Sequence, residues 1–322
     1  MSLSDDLTPE PLARWSSRFA LFAGALLLIA LVSHRLSALS TPVMLTVVGV
    51  SFAIAAVGIL VGLAAAVSIW IRGRKGALPA TMGILLGLAM FAWPAAYAGP
   101  YFALPRINDI TTDTTSPPPF NMLGKVRGEG ANPPAYPGAS VAALQSKAYP
   151  DLRTFVVDRS ADEVFDLAVL LVRGRRGLGW KVLVEEAPST RPPRAGVIEA
   201  TERTLVLGFV DDISIRIFGN ERQTRIDVRS ASRFGRHDFG TNASRVRRFL
   251  RELQSRLDAT VPAAIASAGG VSGAVPVSAI GAAANVKLPK ERSPAKAGAR
   301  NARDPARPDA QRAPGSKGPP RG

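Results

Sequence analysis

The 322-residue chain contains no cysteine. That excludes disulfides, thiol nucleophiles, iron–sulfur clusters and every cysteine-ligated zinc site. Histidine is nearly as scarce: His34 lies between two apolar runs, and His237 stands alone before Asp238. Two separated histidines build no histidine-rich metal centre, and no HExxH pair is present. Also missing are a GxSxG nucleophile turn, a Walker phosphate loop and a GxGxxG after a strand. These absences lead to an expectation of no cofactor and no metal, and of a non-enzyme more than an enzyme.

Charge is absent from long stretches of the first third. Residues 19–33, 43–71 and 77–104 hold no Asp, Glu, Lys or Arg, and about 18–20 apolar residues suffice to cross a bilayer. Residues 1–104 therefore read as a membrane anchor of three helices, over about 16–35, 43–71 and 77–104. A cleavable signal peptide is the competing reading of the first. Against it stand a long apolar core, no clear small-residue cleavage site, and two further spans. Trp15, Trp70, Trp93, Tyr97 and Tyr101 sit at span ends, where an amphipathic ring suits the interface. The absence of charge deep in any span argues against a proton relay or ion pathway. Two GxxxG pairs, Gly58/Gly62 and Gly83/Gly87, would let the second and third helices approach closely, and the general frequency of glycine in membrane helices is an equal alternative.

Orientation follows from the flanking cations. Arg14, Arg18, Arg72, Arg74 and Lys75 lie on one side, against Arg35 and Arg106 on the other. This bias places the N-terminus in the cytoplasm of a bacterial inner membrane and exports everything after residue 105.

The formal net charge of +15 is unevenly spread: +3 over residues 1–104, +5 over 105–260 and +7 over 261–322. The last segment is Ala, Gly, Pro and Ser with spaced Lys and Arg, and reads as a disordered basic tail. Its uncharged stretch 261–286 has two prolines and no Leu, Phe or Trp, which disfavours a fourth span.

Directly behind the third span comes RINDITTDTTSPPPF, polar and proline-rich, opening a connecting segment over 105–153. Three prolines favour an extended course. The expectation is that this strip lies along the following domain and that Asn108, Asp109 and Asp113 bond backbone groups there; a solvated linker is the alternative.

Regular patterning begins near residue 154. A short strand over 154–157 precedes Ser160-Ala-Asp-Glu163, a helix-capping box. The helix it opens carries Val164, Phe165, Ala168, Leu171 and Val172 on one face. Four strand-like runs follow, over 180–186, 197–203, 212–218 and 225–232. In the last two, Ile213, Ile215, Ile217, Ile226 and Val228 alternate with polar residues, so one face is expected buried and the other exposed. A final helix over 242–259 aligns Val246, Phe249, Leu250, Leu253 and Leu257. The fold class is α+β: three N-terminal transmembrane helices, then a soluble β-α-β-β-β-β-α antiparallel-sheet sandwich over 154–260, then the disordered tail.

One cluster invites a ligand. Arg229, Arg233, Arg236, Asp238, Asn242 and Arg245 gather where the last strand feeds the last helix, and cations beside a helix start suit an anion. The competing reading has Asp238, Thr241 or Asn242 capping the helix, while the arginines pair with Asp212 and Asp227 on an exposed sheet face. Asp211 and Asp212 are adjacent in a strand, so their carboxylates point to opposite faces and do not converge on a cation.

Several blocks together carry a resemblance: the strip NDITTD…PPF, YPDL over 149–152, Gly179-Trp180, IEAT over 198–201, LGFVDDISIRI over 207–217, and RIDVRSASRFGRHDFGTNASRVRRFL over 225–250. They resemble the domain of unknown function 1499 family, in its form with N-terminal membrane spans, over about residues 105–257. The resemblance implies architecture and no particular chemistry. It marks Asn108, Asp109, Asp113, Asp211, Asp212 and Asp227 as family-motif positions. The functional expectation is a non-enzymatic envelope binding or scaffold module. Its partners would be the lipid bilayer and an anionic envelope ligand or envelope protein, with no nucleic acid. The alternative is an envelope enzyme working through carboxylate and arginine side chains.

Overall fold

A computed structural model describes residues 10–173, 177–189 and 194–260. The expected disordered tail over 261–322 lies outside the described residues. Three helices come first: α1 (Pro11–Arg35), α2 (Thr41–Arg72) and α3 (Ala77–Ala95), the last extended by the short α4 (Ala98–Ala103). All three are long and apolar enough to cross a membrane. Small residues let them approach closely. Ser16 donates to the Gly58 carbonyl at 2.8 Å. A Cβ at Gly62 would lie 2.5 Å from the Ser16 hydroxyl, and one at Gly87 2.6 Å from Ile59. Both GxxxG pairs therefore sit at helix contacts, where any larger side chain would push the backbones apart.

The two ends of this bundle differ. At one, Glu10 bonds Arg74 at 3.0 Å and its amide donates to the Lys75 carbonyl. At the other, His34 and Tyr101 touch the sheet domain. The start of α1 and the α2–α3 loop thus share one end, as three successive antiparallel helices require.

The sheet domain holds β1 (Asp109–Thr111), α5 (Met122–Lys125), α6 (Ala139–Ala148), β2 (Phe155–Val157), α7 (Ala161–Arg173), β3 (Lys181–Glu186), β4 (Arg194–Arg203), β5 (Val210–Gly219), β6 (Thr224–Ser232) and α8 (Thr241–Ala259). All pairings are antiparallel, in the order β1-β6-β5-β4-β3, with β2 sharing the β1 edge of β6. The α+β order read from the sequence is present, preceded by one further strand from the polar strip. Ser160 caps α7 by accepting from the Glu163 amide. Helices α7 and α8 cover one face, burying Ile198, Ile213, Ile215, Ile217, Ile226 and Val228 against Phe165, Leu171, Val246 and Phe249.

The opposite face departs from expectation. It carries Glu199, Asp212, Ser214, Asp227 and Arg229, and all are buried. Residues 113–137 cross it as a strap, with Phe120 and Leu123 packed beside Ala231. Alternation predicted an exposed second face. It registers polarity correctly, but most of the polar groups here are met by partners from the strap, β1 and the sheet itself. Residues 105–153, expected as a connecting segment, therefore complete the domain. Gln145 on α6 shows how closely: its side-chain amide exchanges two hydrogen bonds with the backbone of Thr111, at 3.0 and 2.6 Å, finishing the free edge of β1.

Candidate functional site

The polar face resolves into charge pairs. Asp109 on β1 meets Arg229 on β6 in a forked contact, at 3.0 and 2.7 Å. Register sets this up, because Asp109 lies opposite Ala231 and Thr111 opposite Arg229. The guanidinium is sandwiched by Phe120, 4.2 Å away, and Tyr136, and donates to the carbonyls of Pro118 and Pro134. Burial pushes Asp109 above the ordinary carboxylate range, and Arg229 pulls it back only part of the way. Asp212 accepts from both Arg127 (2.8 Å) and Arg233 (2.7 Å). Asp227 accepts from Arg216, Arg225 and Thr154, and Asp113 binds the same two arginines while holding the amides of Thr115 and Ser116. Glu199 takes the amides of Asn121 and Leu123, pinning the strap to β4.

The other candidates divide between the faces. Asp211 points to the helix side, where it meets Arg245 at 2.6 Å; Arg245 also pairs with Glu202 and bonds Ser230 and Asn242. Asp238 accepts from the amides of Gly240 and Asn242 and so caps α8. Asn242 ties that helix start to Ser230, Ser232 and Asn108. The structure brings Arg229 and Arg233 together with the strap, and places Arg245, Asp238 and Asn242 on the far side of the sheet. Arg236 is exposed and has no ion-pair partner among the described residues.

Beside the Asp109–Arg229 pair opens a cleft of about 340 Å³, lined among others by Asn108, Arg127, Asn132, Tyr136 and Arg236. Two of its lining residues carry a buried polar atom with no hydrogen-bond partner: Nη2 of Arg127 and the hydroxyl of Tyr136. The rest of Arg127 is fixed, with Nε on Asp212 and Nη1 on the carbonyls of Asn132 and Pro133. Burial, with Asp109 adding to it, pushes Tyr136 up to about 12. Its hydroxyl is accordingly a standing donor at neutral pH. Around the cleft, Arg127, Arg229, Arg233 and Arg236 face Asp109 and Asp212, four cations against two anions. The surplus is positive.

Arg127, Asn132, Tyr136 and Glu199 were not singled out in the sequence. No local pattern marks them, since each matters only through contacts distant in sequence. Among the described residues, no group of three His, Cys, Asp or Glu is placed to hold a metal ion.

Residues 109–253 match the model of a family described as protein of unknown function (DUF1499). No curated protein matches the chain, and no solved structure does. The match takes in β1, the strap, the cleft walls, the whole sheet and most of α8, and it begins at the aspartate that holds Arg229. Residues 109–253, a sheet domain carried behind three helices fit to cross a membrane, thus belong to the DUF1499 family.

Proposed function

We propose that this membrane protein is a non-enzymatic binding module whose cleft takes a small anionic ligand, a phosphate or carboxylate group. The observation that carries the reading is that Arg127 and Tyr136, whose Nη2 and hydroxyl are buried without partners, line one cleft with the unpaired Arg236. Leaving such donors unsatisfied costs about 1–3 kcal/mol each, so an incoming acceptor regains that energy. Arg229, Arg233 and Arg245, which the sequence offered as ligand contacts, are neutralised by carboxylates; the first two hold the cleft walls in place, and Arg245 lies on the far side of the sheet. Asp109 is locked in a forked pair and free of any general-base task.

Calorimetric titration of the full chain in detergent tests this, with inorganic phosphate, glycerol phosphate and acetate as probes. The expected result is saturable binding that weakens with salt and is lost in Arg236→Gln and Tyr136→Phe, with the melting temperature of Arg236→Gln unchanged. Binding that survives both substitutions, or no binding of any of the three anions, overturns the reading.

The same reading places the sheet domain outside the cytoplasm of a bacterial inner membrane. Its support is the cation bias of five against two, combined with the end shared by the start of α1 and the α2–α3 loop. Alkaline phosphatase and green fluorescent protein fused in parallel after Asp258 check it: phosphatase activity without fluorescence is expected.

A further inference from the structure

The turn joining β4 to β5, residues 204–209, reads Thr-Leu-Val-Leu-Gly-Phe. Leu205 is 84% exposed and Val206 61%, the two most exposed large apolar side chains of the sheet domain among the described residues. This is no loose loop. The Thr204 amide donates to the Phe209 carbonyl, the Phe209 amide to the Thr204 hydroxyl, and Gly208 takes a positive φ of 70° to close the turn. Its shape is fixed, and it presents two adjacent apolar side chains to the outside.

The turn is tied to the membrane anchor. His34, in the last turn of α1, donates through Nδ1 to the Leu207 carbonyl at 2.7 Å and receives the Thr41 hydroxyl at Nε2. Its ring meets Phe209 edge-on. Arg203 reaches the Arg35 carbonyl and the Ser37 hydroxyl. A span end defines the depth of the bilayer interface, so a turn bound to it stands at that depth. A second apolar patch lies at the same end of the domain: Phe239 packs on Tyr97 and Tyr101 where the third span ends, with Phe102 exposed beside them. Phe239 and Glu202 also line a cavity of about 410 Å³ together with Arg248 and Arg251. Arg251 has no ion-pair partner among the described residues, and Arg203 contacts only neutral oxygens. Exposed apolar tips flanked by uncompensated cations match the chemistry of an anionic bilayer surface, where apolar groups sit below the headgroups and cations among them.

We propose that the β4–β5 turn is a membrane-entering finger: Leu205 and Val206 insert into the interface of the bilayer that α1–α3 cross, with Arg203 and Arg251 among its anionic headgroups. The domain is thereby fastened to the membrane at one end of its sheet. Strand β5 runs from this turn over ten residues, about 33 Å of extended chain, to the β5–β6 turn at its other end.

The absence of native cysteine makes the test direct. Leu205→Cys and Glu221→Cys, the latter in the β5–β6 turn and strongly exposed, are each labelled with a polarity-sensitive fluorophore. The full chain is then placed in vesicles with and without nitroxide on the acyl chains. The expected result is blue-shifted emission at 205 that the lipid nitroxide quenches, with neither effect at 221. Quenching at 205 should deepen in anionic over zwitterionic vesicles, and Arg203→Gln with Arg251→Gln should remove that difference. A label at 205 as aqueous and as unquenched as at 221 overturns the proposal. So does one that is shielded but unquenched, which would mean a protein surface covers the turn. Equal quenching in both vesicle types removes the two arginines from it.

Discussion

The two faces of the sheet are covered at their centres by opposite means. On one, α7 and α8 cover Ile213, Ile215, Ile217, Ile226 and Val228. On the other, a proline-rich strap covers Glu199, Asp212, Asp227 and Arg229, each at most 2% exposed. The apolar face is held by a non-directional force, so its residues need only fit. The polar face has to satisfy every donor and acceptor, because a buried charge without its partner is far more costly than a missing methylene. Burial therefore says nothing of polarity, and the strap gains specificity where the helices gain tolerance.

Breaking the polar face should show this most strongly. Arg229→Ala leaves the buried Asp109 carboxylate without its guanidinium and is expected to cost about 3–5 kcal/mol, read as a lowered denaturation midpoint. Replacing both partners, Asp109→Leu with Arg229→Met, should recover most of that loss, since no charge then remains uncompensated. If single and double variants are equally unstable, the pair matters for its shape and not for its charge.

On the apolar face Ile215→Val removes one methylene from a fully buried site. About 0.5–1.5 kcal/mol is expected, by the same denaturation measurement. A loss matching that of Arg229→Ala would erase the contrast between the faces.

The smallest effect is a pH dependence on the helix side. Burial pulls Glu202 up, but Arg245 and Arg248 outweigh it and hold the carboxyl below its ordinary value of 4.5. A depressed acid contributes stability that is present above the unfolded value and lost as pH falls through the folded one. Melting temperatures should therefore decline below about pH 4.5, where unfolded carboxylates begin to bind protons, and Glu202→Gln should flatten part of that decline. An unchanged slope in the variant would show that other carboxylates carry it.

Much of this contrast was legible in advance. The strands over 180–186, 197–203, 212–218 and 225–232 lie within or next to β3–β6, and the apolar stripes of α7 and α8 face the core as their spacing requires. The GxxxG pairs announced backbone approach between spans, and the structure adds Ser16 of α1 as the side chain filling that gap. The strap was not legible, because its Gly, Pro and Asn residues carry no period and its buried atoms are held by contacts distant in sequence. Arg229 and Asp109 stand 120 residues apart. Nothing local to either names the other, and the nearer aspartates at 212 and 227 were the more natural partners to assign. Tyr136 lay hidden for a similar reason: its importance is a hydroxyl left without a partner, a property of the surroundings and not of the residue.

The sequence by itself determined three membrane-length helices, an antiparallel sheet with one apolar face, and a positive surplus near the end of β6. These follow from periodicities and compositions that act over a few residues. Only the tertiary structure decided that the polar strip contributes a strand, that the centre of the second sheet face is covered, which arginines are neutralised and which polar atoms are left without a partner. Those are questions of which distant groups come within hydrogen-bond reach, and charge compensation at 3 Å has no periodic signature along a chain.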